Sequence, residues 1–166
     1  MKNMGKVILG VTISLGGFAE DSNGSTLEIP CCKIRGTIMA ENYIRACKQA
    51  AVQFLHLIMA GQIDEAYRRY VDLHGKHHNP FFPEGFPALK KAMIENHAQF
   101  PNKQLTVKNL LGDGSQVAVH SHIVLRPGET GISAVHLFRF EGNRIVEMWD
   151  CGQPVPADSP NKDGAF

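Results

Sequence analysis

The chain has little that would tie it to a macromolecular polyanion or a bilayer. Its 17 basic residues nearly balance its 16 acidic ones, leaving a net charge of +1, and this gives no electrostatic footprint for nucleic acid or an anionic membrane surface. No run of 18 apolar residues occurs, so no segment reads as a membrane-spanning helix. Cysteine is sparse. Cys31, Cys32, Cys47 and Cys151 show neither CxxC spacing nor histidines at zinc-finger distances, which argues for reduced thiols and against a structural zinc. The vicinal Cys31-Cys32 pair reads as incidental in an irregular segment. No internal repeat is visible. What is present is enough chain, at 166 residues, for one domain with a real core, together with eight histidines that titrate near neutrality.

Residues 1–38 read as an extension unlike the remainder of the chain. The apolar run 7–15 lies behind Lys2 and Lys6 and ends in Gly-Gly-Phe-Ala, a superficial likeness to a secretory signal. The stretch MGKVILGVTISLGGFAEDSNGS is more similar to the opening strand and loop of the dihydrofolate-reductase-like domains of riboflavin-biosynthesis reductases, although Gly16 stands where those usually carry an aspartate. That similarity stops near residue 25 and brings no nucleotide site with it. It implies a fusion remnant, ordered only against an exposed edge or a partner, and favours a cytoplasmic location over secretion. Residues 25–36 read as a linker, so the domain itself is expected over residues 39–166.

From residue 39 the pattern changes. Over 40–59, Tyr43, Ala46, Cys47, Ala50, Ala51, Phe54, Leu55 and Ile58 fall at three- and four-residue spacing, the stripe of an amphipathic helix, which Gly61 stops. A second short helix starts at Asp64, with Ala66, Tyr67, Tyr70 and Val71 inward. Residues 74–87, HGKHHNPFFPEGFP, are broken by prolines and glycines and read as a loop. Helical spacing resumes over 86–100. The period then becomes two, and 104–111, 116–126, 131–140 and 144–151 read as four strands joined by glycine-rich turns. Three helices followed by an antiparallel meander predict an α+β domain whose helices cover one face of a curved, mainly antiparallel sheet. A hollow between the two layers would suit a small molecule. The polar tail from residue 152 ends in Phe166, which is able to dock on a neighbouring surface.

The last strand carries the candidate chemistry. Alternation puts Ile145, Glu147, Trp149 and Cys151 on one face and Val146, Met148 and Asp150 on the other. An aspartate beside Val146 and Met148 either faces water or sits in an apolar hollow, where desolvation raises its pKa towards that of a useful base. On the residues alone, capping Gly152 or pairing with Arg139 is the simpler role. His120 and His122 share a face with Ala118 and Val124. On a concave face a neutral imidazole there could donate to an enolate oxygen or set the ionisation of Asp150; on a convex face the two are polar residues of a half-exposed strand. His78 reads as a backbone-bonded loop histidine or a pocket group, and Asn79 as an Asx-turn into Pro80 or a pocket group. Phe81, Phe82, Phe86 and Trp149 read as core or pocket wall. His120, His122, His136 and Asp150 would form a ligand set acceptable to zinc or iron if they converged, but nothing in their spacing requires it.

YVDLHGKHHNPFFPEG, VAVHSHIVLRPGE and FRFEGNRIVEMWDCGQPVP with the ending NKDGAF together resemble the SnoaL-like branch of the nuclear-transport-factor-2-like superfamily, usually described as predicted aldol-condensation or polyketide-cyclase-like enzymes. The likeness runs from about residue 41 to residue 166. It implies a cone-shaped α+β barrel with a deep pocket, commonly a homodimer through the sheet, and chemistry on a small hydrophobic carbonyl compound with no cofactor and no metal. The acid/base role falls on Asp150, with His120 and His122 beside it. His78, Asn79, His136, Trp149, Phe82, Met148 and Tyr70 are the implied pocket residues. Met148 departs from a frequent histidine and His136 from a frequent acidic residue, and both change the pocket's proton inventory. An aldol closure needs only a moderate base, since the carbon between two carbonyls is acidic. A hydrolase or dehydratase would use the same aspartate with a bound water. A binding or dimerisation module that kept the cone and lost the chemistry is the other reading, and Met148 points that way.

Overall fold

The computed structural model describes the backbone of residues 31–166 and side chains from residue 38 onward. The apolar run 7–15 and the side chains of Cys31 and Cys32 lie outside the described residues. Helix α1, Cys31–Met59, begins inside the stretch expected as linker. Gly36 costs a helix only about 1 kcal/mol, too little by itself to end one that packs against the core from Tyr43 onward. The predicted stripe is the buried one, with Cys47, Ala51, Phe54, Leu55 and Ile58 in the core. Gly61, at φ 76°, turns the chain into α2, Ile63–Tyr70, whose acidic first turn and basic last turn suit the helix dipole. Tyr70 is half-buried against the core as expected, with its hydroxyl reaching out to donate to the Gln53 side chain; it lines no part of the cavity described below.

The segment after α2 is not wholly a loop. Val71–His77 forms strand β1, which runs parallel to the last strand, with Lys76 opposite Glu147 and His77 opposite Met148. Only Val71 and His77 of β1 are buried, so it lacks the apolar alternation that marks a strand. Gly75 reads as a turn signal but serves a close approach. A Cβ there would stand 2.3 Å from the Val146 carbonyl oxygen and 2.7 Å from the Phe86 ring. Helix α3, Phe86–Gln99, comes next. Strands β2, Gln104–Asp113, β3, Gln116–Val124, β4, Ile132–Glu141, and β5, Arg144–Pro154, complete an antiparallel meander.

The sheet order is β1-β5-β4-β3-β2, curved and unclosed, with β1 and β2 as its edges. The helices lie on the face that carries Val117, Val119 and Ser121 of β3, His136, Phe138 and Phe140 of β4, and Met148 and Asp150 of β5, as burial and the register across the strands show. A bulge at Val146 changes the expected alternation. Arg139 pairs with Glu147 but Phe140 pairs with Ile145, so Ile145 turns into the core and is fully buried. Trp149, Glu147, Arg139, His120 and His122 occupy the opposite face. There Phe166 folds back over the sheet, its ring 4.6 Å from that of His122 and 5.6 Å from that of His120.

Candidate functional site

The candidate chemistry gathers where β5, the connection after β1 and α3 meet. His77 is the first fixed point of that connection. Its Nε2 donates to the Pro83 carbonyl at 2.8 Å, while Nδ1 accepts from the Asn79 amide N–H at 3.3 Å, so the neutral imidazole pins the loop from both ends. The loop in turn orients Asn79. The Phe81 amide donates to Asn79 Oδ1 at 2.9 Å, an Asx-turn that leaves Nδ2 free to donate to Asp150 Oδ2 at 2.7 Å. The turn and the pocket role are therefore the same geometry. Asp150 Oδ1 is buried without a partner.

Asp150 and His136 are cross-strand partners on β5 and β4, which places their Cβ atoms roughly 5 Å apart on one face. His136 Nδ1 is also buried without a partner. Burial pushes this imidazole below its usual pKa, and the Asp150 charge opposes that shift. In the adjoining row, Ser121 pairs with Ala134 and Ala134 with Gly152, and the Ser121 Oγ is a third orphan. Buried polar atoms are ordinarily satisfied, and these three orphans fall on neighbouring positions of one sheet face, with Asp150 the one that lines a cavity.

Asp150 and Asn79 line a cavity of about 170 Å³ with Phe82, Met148, Ile58, Met59, Leu89, Ala92, Met93, Asn96 and Lys103. Larger hollows lie at the α1–α2 turn, about 470 Å³, along α1, about 480 Å³, between α1 and the β2–β3 end of the sheet, about 350 Å³, and between α1 and the β4–β5 turn, about 210 Å³. They hold none of the orphaned groups, whereas the smaller cavity is lined by Asp150, so it is the stronger candidate. It is below the roughly 300–1,000 Å³ usual for small-molecule pockets and suits a guest of few heavy atoms.

The structure divides the residues expected in the site. It brings Asn79, Phe82, Met148 and Asp150 to the cavity, with His136 beside Asp150. It sets His120 and His122 apart, on the far face of the sheet. Alternation grouped them correctly with Ala118 and Val124, but that face is turned from the helices. Asn109 donates to His120 Nδ1 at 3.1 Å and His120 Nε2 donates to Ser133 Oγ at 2.9 Å; His122 Nε2 donates to the Thr130 carbonyl at 2.8 Å. His78 and Trp149 also leave the cavity. Their rings stack at 4.7 Å on the outer face, and His78 Nε2 donates to Glu147 at 2.8 Å. That bond, with a second from Arg139, holds the Glu147 carboxyl below the usual range. Arg139 thus pairs with Glu147 and Glu141, not with Asp150. The four groups weighed as metal ligands split between the two faces, and among the described residues no cluster of three or more His, Cys, Asp or Glu converges.

Sequence reasoning missed Lys103 and Asn96. Lys103 is only 7 % exposed, and its Nζ donates to Asn96 Oδ1 at 2.6 Å. Burial pushes its ammonium below the usual range. A lone lysine in a Pro-Asn-Lys-Gln turn carries no signal of burial; only the packing of α3 against the start of β2 creates it.

His136 makes stability depend on pH. Its pKa is lowered on folding, so at pH below about 6.5 the unfolded chain binds a proton that the folded chain refuses. Stability is therefore expected to fall as pH drops below that value, by up to about 1.4 kcal/mol per pH unit for one proton. Urea unfolding of the wild type and of His136→Leu, across pH 7.5 to 5, tests this. Parallel curves for the two proteins would remove His136 as the cause.

Three helices over one face of an open five-stranded sheet, with a single oriented carboxyl at the floor of an apolar cavity, define a small pocket-bearing α+β domain of the nuclear-transport-factor-2-like class. The SnoaL-like domain profile matches residues 51–148, more than half of the chain, and the chain belongs to that family. Solved structures share the fold. An NTF2-like protein of unknown function from Burkholderia xenovorans is 19 % identical, with a TM-score of 0.57, covering 74 % of this chain and 91 % of that one. A SnoaL-like polyketide cyclase from Agrobacterium tumefaciens is 17 % identical, with a TM-score of 0.53, covering 64 % and 91 %. A SnoaL-like protein of unknown function from Burkholderia thailandensis is 16 % identical, with a TM-score of 0.56, covering 66 % and 95 %. At such identities the likeness shows the fold alone. No curated protein matches significantly. No helix among the described residues is long and apolar enough to cross a membrane.

Proposed function

We propose that this is an enzyme of the cyclase or isomerase kind that moves protons on a small carbonyl compound without a cofactor, with Asp150 as the acid/base group. The observation that carries the reading is the asymmetry of the Asp150 carboxyl: Oδ2 is held by Asn79, while Oδ1 is buried and unpartnered at the wall of an otherwise mostly apolar cavity. Asn79 fixes the carboxyl's direction, which turns proton abstraction into a positioned step. Oδ1 takes the proton from the carbon next to the guest's carbonyl. The resulting enolate then attacks a second carbonyl or is reprotonated elsewhere. His136, kept neutral by its surroundings, adds no competing positive charge beside the carboxyl. The cavity's size favours short guests over polycyclic ones.

Met148 favours a second reading, a binding module without turnover, because a thioether in the cavity wall transfers no proton. Hydrogen–deuterium exchange monitored by NMR separates the two. With a panel of three- to five-carbon ketones, diketones and oxo acids in D2O, the protein is expected to speed exchange of the hydrogens next to the carbonyl for at least one guest. Guests that bind without faster exchange would leave only the binding module.

A further inference from the structure

The cavity holds a second ionisable side chain, and that side chain has no counter-ion. Lys103 lines the same cavity as Asp150, but from another direction. Asp150 rises from β5, whereas Lys103 sits in the turn between α3 and β2, where its amide donates to the Phe100 carbonyl. No acidic group pairs with Lys103 among the described residues. Its one hydrogen-bond partner is the Asn96 side-chain oxygen Oδ1, and an ammonium carries three N–H donors.

A buried ammonium without a counter-ion is costly, and the rest of the lining offers little to offset it. Ile58, Met59, Leu89, Ala92, Met93 and Met148 supply no oxygen acceptor. Asp150 makes no ion pair with it. The missing negative charge is therefore to be supplied from outside, by whatever enters the cavity. Size narrows the guest further. About 170 Å³ is below the range usual for small-molecule pockets, which favours a short-chain molecule.

The geometry points to a short-chain oxo acid as the guest, its carboxylate anchored by Lys103 and its carbonyl-activated C–H turned towards Asp150. This rests on the reading of the cavity as the ligand site and adds the substrate class and the residue that selects it. The two charged walls then divide the work. Lys103 holds one end of the molecule by a charge-assisted hydrogen bond, Asn96 keeps the ammonium in place, and Asp150 meets the other end. Neutral ketones of equal length fit the same space but leave the ammonium unpaired.

The test is calorimetric binding of pyruvate, 2-oxobutyrate and acetoacetate, with butanone and acetylacetone as uncharged probes and acetate as the bare carboxylate. The oxo acids are expected to bind the wild type about 10- to 100-fold tighter than the neutral ketones. Lys103→Met is expected to abolish that preference and leave ketone binding intact. Asn96→Asp offers a second route if Lys103→Met fails to fold. It places a carboxylate against the Lys103 Nζ, so the ammonium is satisfied internally and oxo-acid binding falls about tenfold or more while ketone binding holds. Ketones that bind as well as oxo acids would overturn the anchor and spare the cavity; failure of every probe to bind would overturn both. Borohydride trapping of pyruvate on Lys103 would also overturn the anchor, since the amine would then be attacking the carbonyl.

Discussion

Asp150→Asn is expected to lower kcat/KM for the proton-exchange reaction by about 10²- to 10⁴-fold, the range for loss of a positioned general base. The substitution keeps the side chain's size and leaves an amide oxygen for Asn79 Nδ2, so the Asn79 hydrogen bond seen at 2.7 Å can persist. What disappears is the second oxygen's ability to take a proton. Ligand affinity is expected to change far less than turnover, because the cavity's apolar walls are untouched. The measurement is deuterium incorporation at a fixed guest concentration, with calorimetric binding of the same guest to both proteins. A variant that retains more than a tenth of the wild-type rate would place the base elsewhere. A variant that loses binding as severely as rate would assign Asp150 to recognition alone.

The second large effect lies in the layer beneath. Phe138→Ala is expected to cost about 3–5 kcal/mol of stability, the range for a phenylalanine deleted from a packed core. Phe138 is 0 % exposed. It meets Phe54 of α1 edge-on at 5.8 Å and lies parallel to His136 at 6.2 Å. Its register partners are Val117 on β3 and Met148 on β5, so its ring joins the helix layer to three strands at once. At about 2–4 °C per kcal/mol for a chain of this size, the melting temperature is expected to fall by roughly 6–20 °C. A loss below about 1 kcal/mol would mean that the surrounding side chains close over the gap. Because Met148 and His136 flank the ring, the cavity floor loosens together with the core.

The three helices and four antiparallel strands were readable because each buries one face, and burial on one face imposes a period. The α1 stripe at Cys47, Ala51, Phe54, Leu55 and Ile58 is the clearest case. β1 was not readable for the converse reason. It is an edge strand with two buried residues, held by backbone pairing that leaves no mark on side-chain identity, and the glycine that permits that pairing imitates a turn. Period two also states which residues share a face without stating which face the helices choose. His120 was therefore grouped correctly with His122 while their side stayed open, and it was the resemblance that set them beside Asp150, on the face they do not occupy; the bulge at Val146 reversed Ile145 for a local reason no alternation contains. The Asp150 side of β5 was legible because Met148 accompanies it. The burial of Lys103 was not, since it arises from contact between elements remote in sequence.

The parallel pairing of β1 with β5 has a consequence in time. Asn79 and Asp150 are 71 positions apart, so at translation rates of about 5–20 residues per second the amide waits roughly 4–14 s for its carboxyl to be made. Throughout that interval the edge of β1 has no strand to join, and the loop carrying Phe81 and Phe82 has no floor to close over. The helices and the first hairpin can assemble while the ribosome is still at work; the cavity between Asn79 and Asp150 closes only once β5 has been made.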